Sequence, residues 1–148
     1  MILFIDDEKW AISGYFDYFE KKEKRDNRYE YKHFFYPTDA WKYIKENKEN
    51  KENIDLIILD LMLFYGKLRH QRRTGKHGGL VFLEEFRDDP QYDNIPVLLY
   101  SIVSKLNIEP QGPKIEEIKN VAYLPRSCSD REFYHKVKEL LNKKAKRR

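Results

Sequence analysis

Three carboxylates stand where their type and spacing permit chemistry. Asp6 and Asp7 directly follow the apolar run Ile2–Ile5, and Asp60 directly follows Leu56–Leu59. Each acid alone has an ordinary structural use: Asp7 favours a helix start through the helix dipole, and Asp60 can simply end a strand. Together they read differently. In open parallel α/β sheets, sites form beyond the carboxyl ends of the strands, near the point where strand order reverses. If the two strands are neighbours there, the three acids converge. Such a cluster repels itself at short range, and a hard cation resolves the conflict. An all-oxygen set completed by water suits Mg²⁺.

Positioning these acids requires a parallel sheet wrapped by helices, and the chain alternates in that way. Ile2–Ile5 reads as a buried first strand. A helix from about Glu8 then places Ile12, Tyr15, Phe16 and Phe19 on one face before the charge run 21–26. Residues 29–36 read as a second strand, in which Glu30 and Lys32 alternate with tyrosines, as on an exposed edge. Pro37-Thr38 opens a helix with Ala40, Tyr43 and Ile44 inward. Ile54–Leu59 is a third strand, and its unbroken apolar centre implies burial on both faces. A helix from Gly79 to about Arg87 carries Leu83 and Phe86; 95–101 and 121–124 complete the strands. The last helix begins at Ser129, with Glu132 three residues on as a capping box. It carries an apolar stripe of Phe133, Val137, Leu140 and Leu141.

Composition agrees with one globular domain: 148 residues, 41% hydrophobic and 36% charged, with a formal net charge of only +4. The single cysteine, Cys128, excludes an intramolecular disulfide and suggests a reducing compartment. The apolar start runs straight into acids, too short for a signal peptide. Nothing approaches the ~18 uninterrupted apolar residues of a membrane span. A cytoplasmic location, with no membrane partner, is the expectation.

The stretch Ile2-Leu3-Phe4-Ile5-Asp6-Asp7-Glu8 resembles the opening of the receiver domains of two-component response regulators. Asp55-Leu56-Ile57-Ile58-Leu59-Asp60-Leu61-Met62-Leu63 resembles their phosphoacceptor strand. Ser101 matches the family's Ser/Thr, and Tyr123-Leu124-Pro125-Arg126 matches the strand-five segment that normally ends in lysine. The resemblance spans essentially the whole chain. It implies a flavodoxin-like, doubly wound α/β fold over residues 1–148, with five parallel strands in order 2-1-3-4-5 and helices on both faces. It also implies that Asp60 accepts a phosphoryl group, as an aspartyl phosphate, from a histidine kinase or histidine phosphotransfer protein. Asp7, Asp60 and the Met62 backbone carbonyl would bind Mg²⁺ directly, and Asp6 partly through water. Ser101 would donate to a phosphoryl oxygen, Arg126 would supply the conserved positive charge, and Tyr123 would turn inward as the switch aromatic. Output would run through an unknown downstream protein, with a homodimer as one arrangement. Such a domain is not an enzyme beyond its own phosphorylation and dephosphorylation.

The chain also departs from that pattern. Arg126 keeps a charge but is longer and planar, so the exchange for lysine is not neutral. Ile102 stands where a small residue leaves the acceptor open; it either narrows the entrance or points into the core. Gly79 lies 19 residues past Asp60, well beyond the family's usual glycine, and Phe64 replaces a proline. The intervening loop 64–77 carries Lys67, Arg69, Arg72, Arg73 and Lys76 with no acid, and is expected to be exposed and mobile. Pro110, Gly112 and Pro113 leave only 114–120 for a fourth helix. Met62 and Val103, two positions past the acceptor and the serine, are apolar and cannot orient an attacking water. A long-lived phosphate is expected.

Two other functions compete. One is a phosphorylation-independent adaptor, which retention of all three acids argues against. The other is nucleic-acid binding by the loop 64–77 and the basic tail 143–148, although charge runs of this kind are commonly just solvated. A hydrolase is disfavoured: haloacid-dehalogenase phosphatases carry a second aspartate where Met62 stands, and no glycine-rich phosphate loop is present. His70 and His77 lie in the basic loop, while His33 and His135 suit an edge strand and a helix surface.

Overall fold

The computed structural model describes residues 1–8, 13–14, 17–18, 21, 29–68, 77–102 and 117–147. Five strands, β1 (Ile2–Ile5), β2 (Tyr31–Phe34), β3 (Leu56–Leu59), β4 (Val97–Ser101) and β5 (Val121–Pro125), form one sheet. Their order is β2-β1-β3-β4-β5, parallel throughout. The chain steps outward from β1 to β2 and then crosses back to β3, so strand order reverses between β1 and β3. These two central strands pair Ile2 with Leu56 through to Ile5 with Leu59, and all eight residues are buried.

The two-residue period of the strands divides the core into two layers. Leu3, Ile5, Ile57, Leu59, Val97 and Leu99 face one side, where they meet α1 (Pro37–Glu46) and α3 (Gly78–Asp88). On that side Trp41, Phe82, Phe86 and Tyr92 form an aromatic cluster, with Phe86 and Tyr92 stacked at 4.7 Å. Ile2, Phe4, Leu56, Ile58, Leu98 and Tyr100 face the other side, against Phe133, Val137, Leu140 and Leu141 of α4 (Asp130–Arg147). Helices therefore cover both faces, as the doubly wound pattern requires. None of the described helices is long and apolar enough to cross a membrane.

Local chemistry sets the helix starts. Pro37 occupies the first turn of α1 after an extended Tyr36, where its fixed φ and missing N–H cost nothing. The Ser129 hydroxyl accepts from the Glu132 N–H at 3.1 Å, the expected cap of α4. Arg87 donates to the carbonyls of Tyr92, Ile95 and Asn120 at 2.8, 2.6 and 3.1 Å. It thereby ties α3 to the entrances of β4 and β5, and burial lowers its pKa to about 10. Asn120 has φ 57°, a left-handed turn that asparagine tolerates better than most residues.

Several elements differ from the sequence expectation. The second strand is shorter than 29–36, because only 31–34 finds a partner, on β1. Glu8 is not helical, while Ser13, Gly14, Asp17, Tyr18 and Lys21 are; residues 9–12, where the first helix would begin, lie outside the described residues. Tyr18 meets Tyr134 of α4 edge-on at 6.2 Å, whereas Ile12, Tyr15, Phe16 and Phe19 lie outside the described residues. The short helix α2 (Lys48–Glu52) was not expected, since KENKE has no apolar face; Asn47 caps it by accepting from the Asn50 N–H at 2.8 Å. Within 114–120 the described residues 117–120 form a 3₁₀ residue, a bend and a turn rather than an α-helix; the rest of that segment is outside them.

Candidate functional site

The sheet ladder continues one residue past β1 and β3, and that residue is an aspartate in both cases. Asp6 N–H donates to Phe34 O, and Asp60 N–H donates to Ile5 O, each at 2.9 Å. The backbone of both acids is thus held by the sheet. The carboxylates of Asp6, Asp7 and Asp60 offer oxygens within 4.8 Å of one another, with Asp6 and Asp60 buried and Asp7 exposed. The sequence expectation of convergence therefore holds.

Asp60 is the centre of the arrangement. Its Oδ1 accepts from the Ser101 hydroxyl at 3.0 Å and from the Met62 N–H at 3.1 Å. Its Oδ2 lies 3.3 Å from Arg126 Nη2. Ser101, at the end of β4, is completely buried, so its hydroxyl is a committed donor to this carboxylate. Arg126 follows β5 and is nearly buried. Its Nη2 also donates to Asp6 Oδ2, its Nη1 reaches Glu8 Oε2 at 2.9 Å, and its Nε points to Tyr100 O at 3.4 Å. Tyr123 sits half-buried on β5, against the core layer that holds α1 and α3. Ile102 is 72% exposed, which excludes the alternative that it points into the core. Met62 is exposed too, whereas Val103 lies outside the described residues.

Burial pushes the Asp6 carboxyl up to about 6, and Asp60 adds to that rise, while the Glu8 N–H and Arg126 oppose it. The group is only 3% exposed, so desolvation dominates even with an arginine on it. Asp6, Glu8 and Asp60 pair with one guanidinium, and Asp7 adds a fourth carboxylate beside Asp6 and Asp60. Even with Asp6 protonated the cluster stays anionic. The donor set fits a divalent cation: it is all oxygen, and ligands on an octahedral ion with bonds of about 2.1 Å lie about 3–4 Å apart.

The turn after Asp60 is set by two glycines at the start of α3. Gly79 N–H donates to Leu61 O at 3.2 Å, and Gly78 N–H to Leu63 O at 2.6 Å. A Cβ on Gly79 would stand 2.0 Å from Asp60 O, and one on Gly78 would stand 2.3 Å from Tyr65 N. Only residues without a side chain allow the helix and the turn after Asp60 to meet. The described start of the loop is tied down as well: Tyr65 O accepts from Thr38 N–H at 3.0 Å, and its hydroxyl donates to Glu85 at 2.6 Å. Phe64 and Lys67 are exposed, and 69–76, with Arg69, His70, Arg72, Arg73 and Lys76, lie outside the described residues.

Two contributors escaped the sequence expectation. Glu8 stands in the sequence only as part of a motif, yet it pairs with Arg126 from 118 positions away. His33 on β2 places Nε2 2.6 Å from Asp6 O, a backbone contact with no sequence signal.

No protein-family model and no curated protein matches this chain. Solved structures do resemble it. The receiver domain of a Francisella response regulator shares 22% identity at a TM-score of 0.65, over 96% of each chain. A two-component response regulator from Legionella pneumophila shares 21% at 0.66, over 96% of this chain and 97% of that one. The manganese-bound form of the response regulator Rcp1 shares 20% at 0.61, over 94% and 89%. Strand order, helices on both faces and these likenesses agree: the chain has the fold of a response-regulator receiver domain.

Proposed function

We propose that this chain is a Mg²⁺-dependent phosphoacceptor of a two-component phosphorelay in the cytoplasm, with Asp60 as the residue phosphorylated. The observation that carries this is the position of Asp60. It meets Asp6 and Asp7 beyond the reversal point of the sheet, between the Ser101 hydroxyl and the Arg126 guanidinium.

In the proposed transfer, a carboxylate oxygen of Asp60 attacks the phosphorus of a phosphohistidine on a histidine kinase or histidine phosphotransfer protein. The new O–P bond forms as the P–N bond breaks, and the electron pair stays on the imidazole nitrogen. Asp7 and Asp60, with the Met62 carbonyl, would hold Mg²⁺, and Asp6 would reach it partly through water. When bound, the ion supplies charge that offsets the gathering phosphoryl oxygens. Ser101 rotates its hydroxyl from Asp60 Oδ1 to a phosphoryl oxygen, and Arg126 adds a second donor from Nη2. Tyr123 follows Ser101 inward and passes the change to a downstream protein. The domain signals and does not turn over an external substrate.

Calorimetric titration with Mg²⁺ tests the metal set: wild type binds, while Asp7→Asn and Asp60→Asn lose most of the affinity. A small acyl phosphate should then label wild type with Mg²⁺ present and fail once a chelator is added. Absence of labelling with Mg²⁺ bound overturns the phosphoacceptor and leaves an adaptor on the same fold.

A further inference from the structure

We infer that Glu8 is a positioning residue for Arg126, holding the guanidinium so that its inner nitrogen serves Asp60. The inference deepens the phosphoacceptor proposal and rests on it for its kinetic arm. Arg126 has two ends. Nη2 points inward to Asp6 and Asp60, and Nη1 points outward to Glu8 at 2.9 Å. The third nitrogen, Nε, lies 3.4 Å from Tyr100 O, and the guanidinium carbon stands 5.1 Å from the Tyr100 ring centroid. Because the fork is planar and rigid, fixing Nη1 and Nε fixes where Nη2 sits. The contact from Nη2 to Asp60 Oδ2 is the longest of the three ion pairs, at 3.3 Å. It is the one most easily lost if the plane swings.

Glu8 is itself anchored. Its N–H donates to Asp6 Oδ1 at 2.8 Å, so Asp6 binds Arg126 with one oxygen and the backbone of Glu8 with the other. A closed loop results: Asp6 places Glu8, Glu8 holds one end of Arg126, and the other end returns to Asp6 and Asp60. Lysine offers one nitrogen on a flexible stem, with no second, rigidly placed nitrogen for Glu8 to hold. Orientation of an inner nitrogen by Glu8 through an outer one therefore needs arginine at this position. The Glu8 side chain is 49% exposed, so its role is orientation rather than folding.

The test combines kinetics with a spectroscopic measurement. Phosphorylation of Asp60 by a small acyl phosphate at saturating Mg²⁺ should slow by about fivefold in Glu8→Ala and by less in Glu8→Gln, whose amide oxygen still accepts. In an Arg126→Lys chain the Glu8→Ala change should move the rate by less than about 1.5-fold, which a double-mutant cycle reads as coupling. Equal effects in both backgrounds would mean that Glu8 acts only through its charge, and would overturn the inference. Independently, ¹⁵N NMR of the Arg126 side chain should show separate, slowly rotating Nη signals in wild type that merge in Glu8→Ala. Unchanged signals overturn the inference without any reference to phosphorylation. If wild type takes no phosphoryl group, the phosphoacceptor proposal falls while the NMR comparison still decides the role of Glu8.

Discussion

Replacing Asp6 by asparagine should make the metal-free protein more stable at neutral pH. Asp6 is 3% exposed, and its carboxyl stands at about 6 against an ordinary 3.8. Since the folded value lies above the unfolded one, the folded chain holds this proton more tightly. Its stabilising contribution is fully present below about pH 3.8 and is lost as pH rises through about 6. The gap corresponds to about 3 kcal/mol, the cost of keeping this buried carboxylate charged. Asparagine imitates the protonated form and avoids that cost. Urea unfolding of wild type and Asp6→Asn across pH 4–8, with chelator present, measures it. The variant should gain about 3 kcal/mol at pH 8, and the gain should fade towards pH 4. Saturating Mg²⁺ should narrow the difference, because binding stabilises the chain with the intact acid set more strongly. A variant no more stable than wild type at pH 8, or an offset independent of pH, would refute burial as the controlling effect.

Gly79→Ala should destabilise by at least about 2 kcal/mol in chemical denaturation, because its Cβ would meet the Asp60 carbonyl oxygen at 2.0 Å. A neutral result would mean that the turn after Asp60 is softer than its hydrogen bonds imply. The phosphoryl group on Asp60 should persist, since Met62 is apolar and 43% exposed beside it and offers water no acceptor. Met62→Glu should shorten the lifetime in a phosphate-release assay, and an unchanged decay would rule out this position as the control.

The strands that carry the acids were legible because β1 and β3 have no polar residue to spare for a solvent face. Their apolar runs ending in Asp6 and Asp60 point to a doubly buried centre, with a candidate site at its edge. Other features rest on contacts between distant positions. Arg126 meets Glu8 only after β5 has docked beside β4, and neither residue type announces the other. The aromatic cluster of Trp41, Phe82, Phe86 and Tyr92 draws on three elements, and periodicity places only Phe86 of the four in the core. Helix α2 forms through a cap and local bonds, so it left no apolar pattern to read. The elevated Asp6 carboxyl is likewise a property of burial, which the sequence expresses only through its neighbours.

The phosphorylation of Asp60 is tested most directly by intact-mass spectrometry. Wild type and Asp60→Asn are each treated with a small acyl phosphate and Mg²⁺, beside an ordinary receiver domain as a positive control. Wild type should gain the mass of one phosphoryl group and Asp60→Asn none. An unmodified wild type, under conditions that label the control, or equal labelling of the variant, would contradict the assignment of Asp60 as the acceptor.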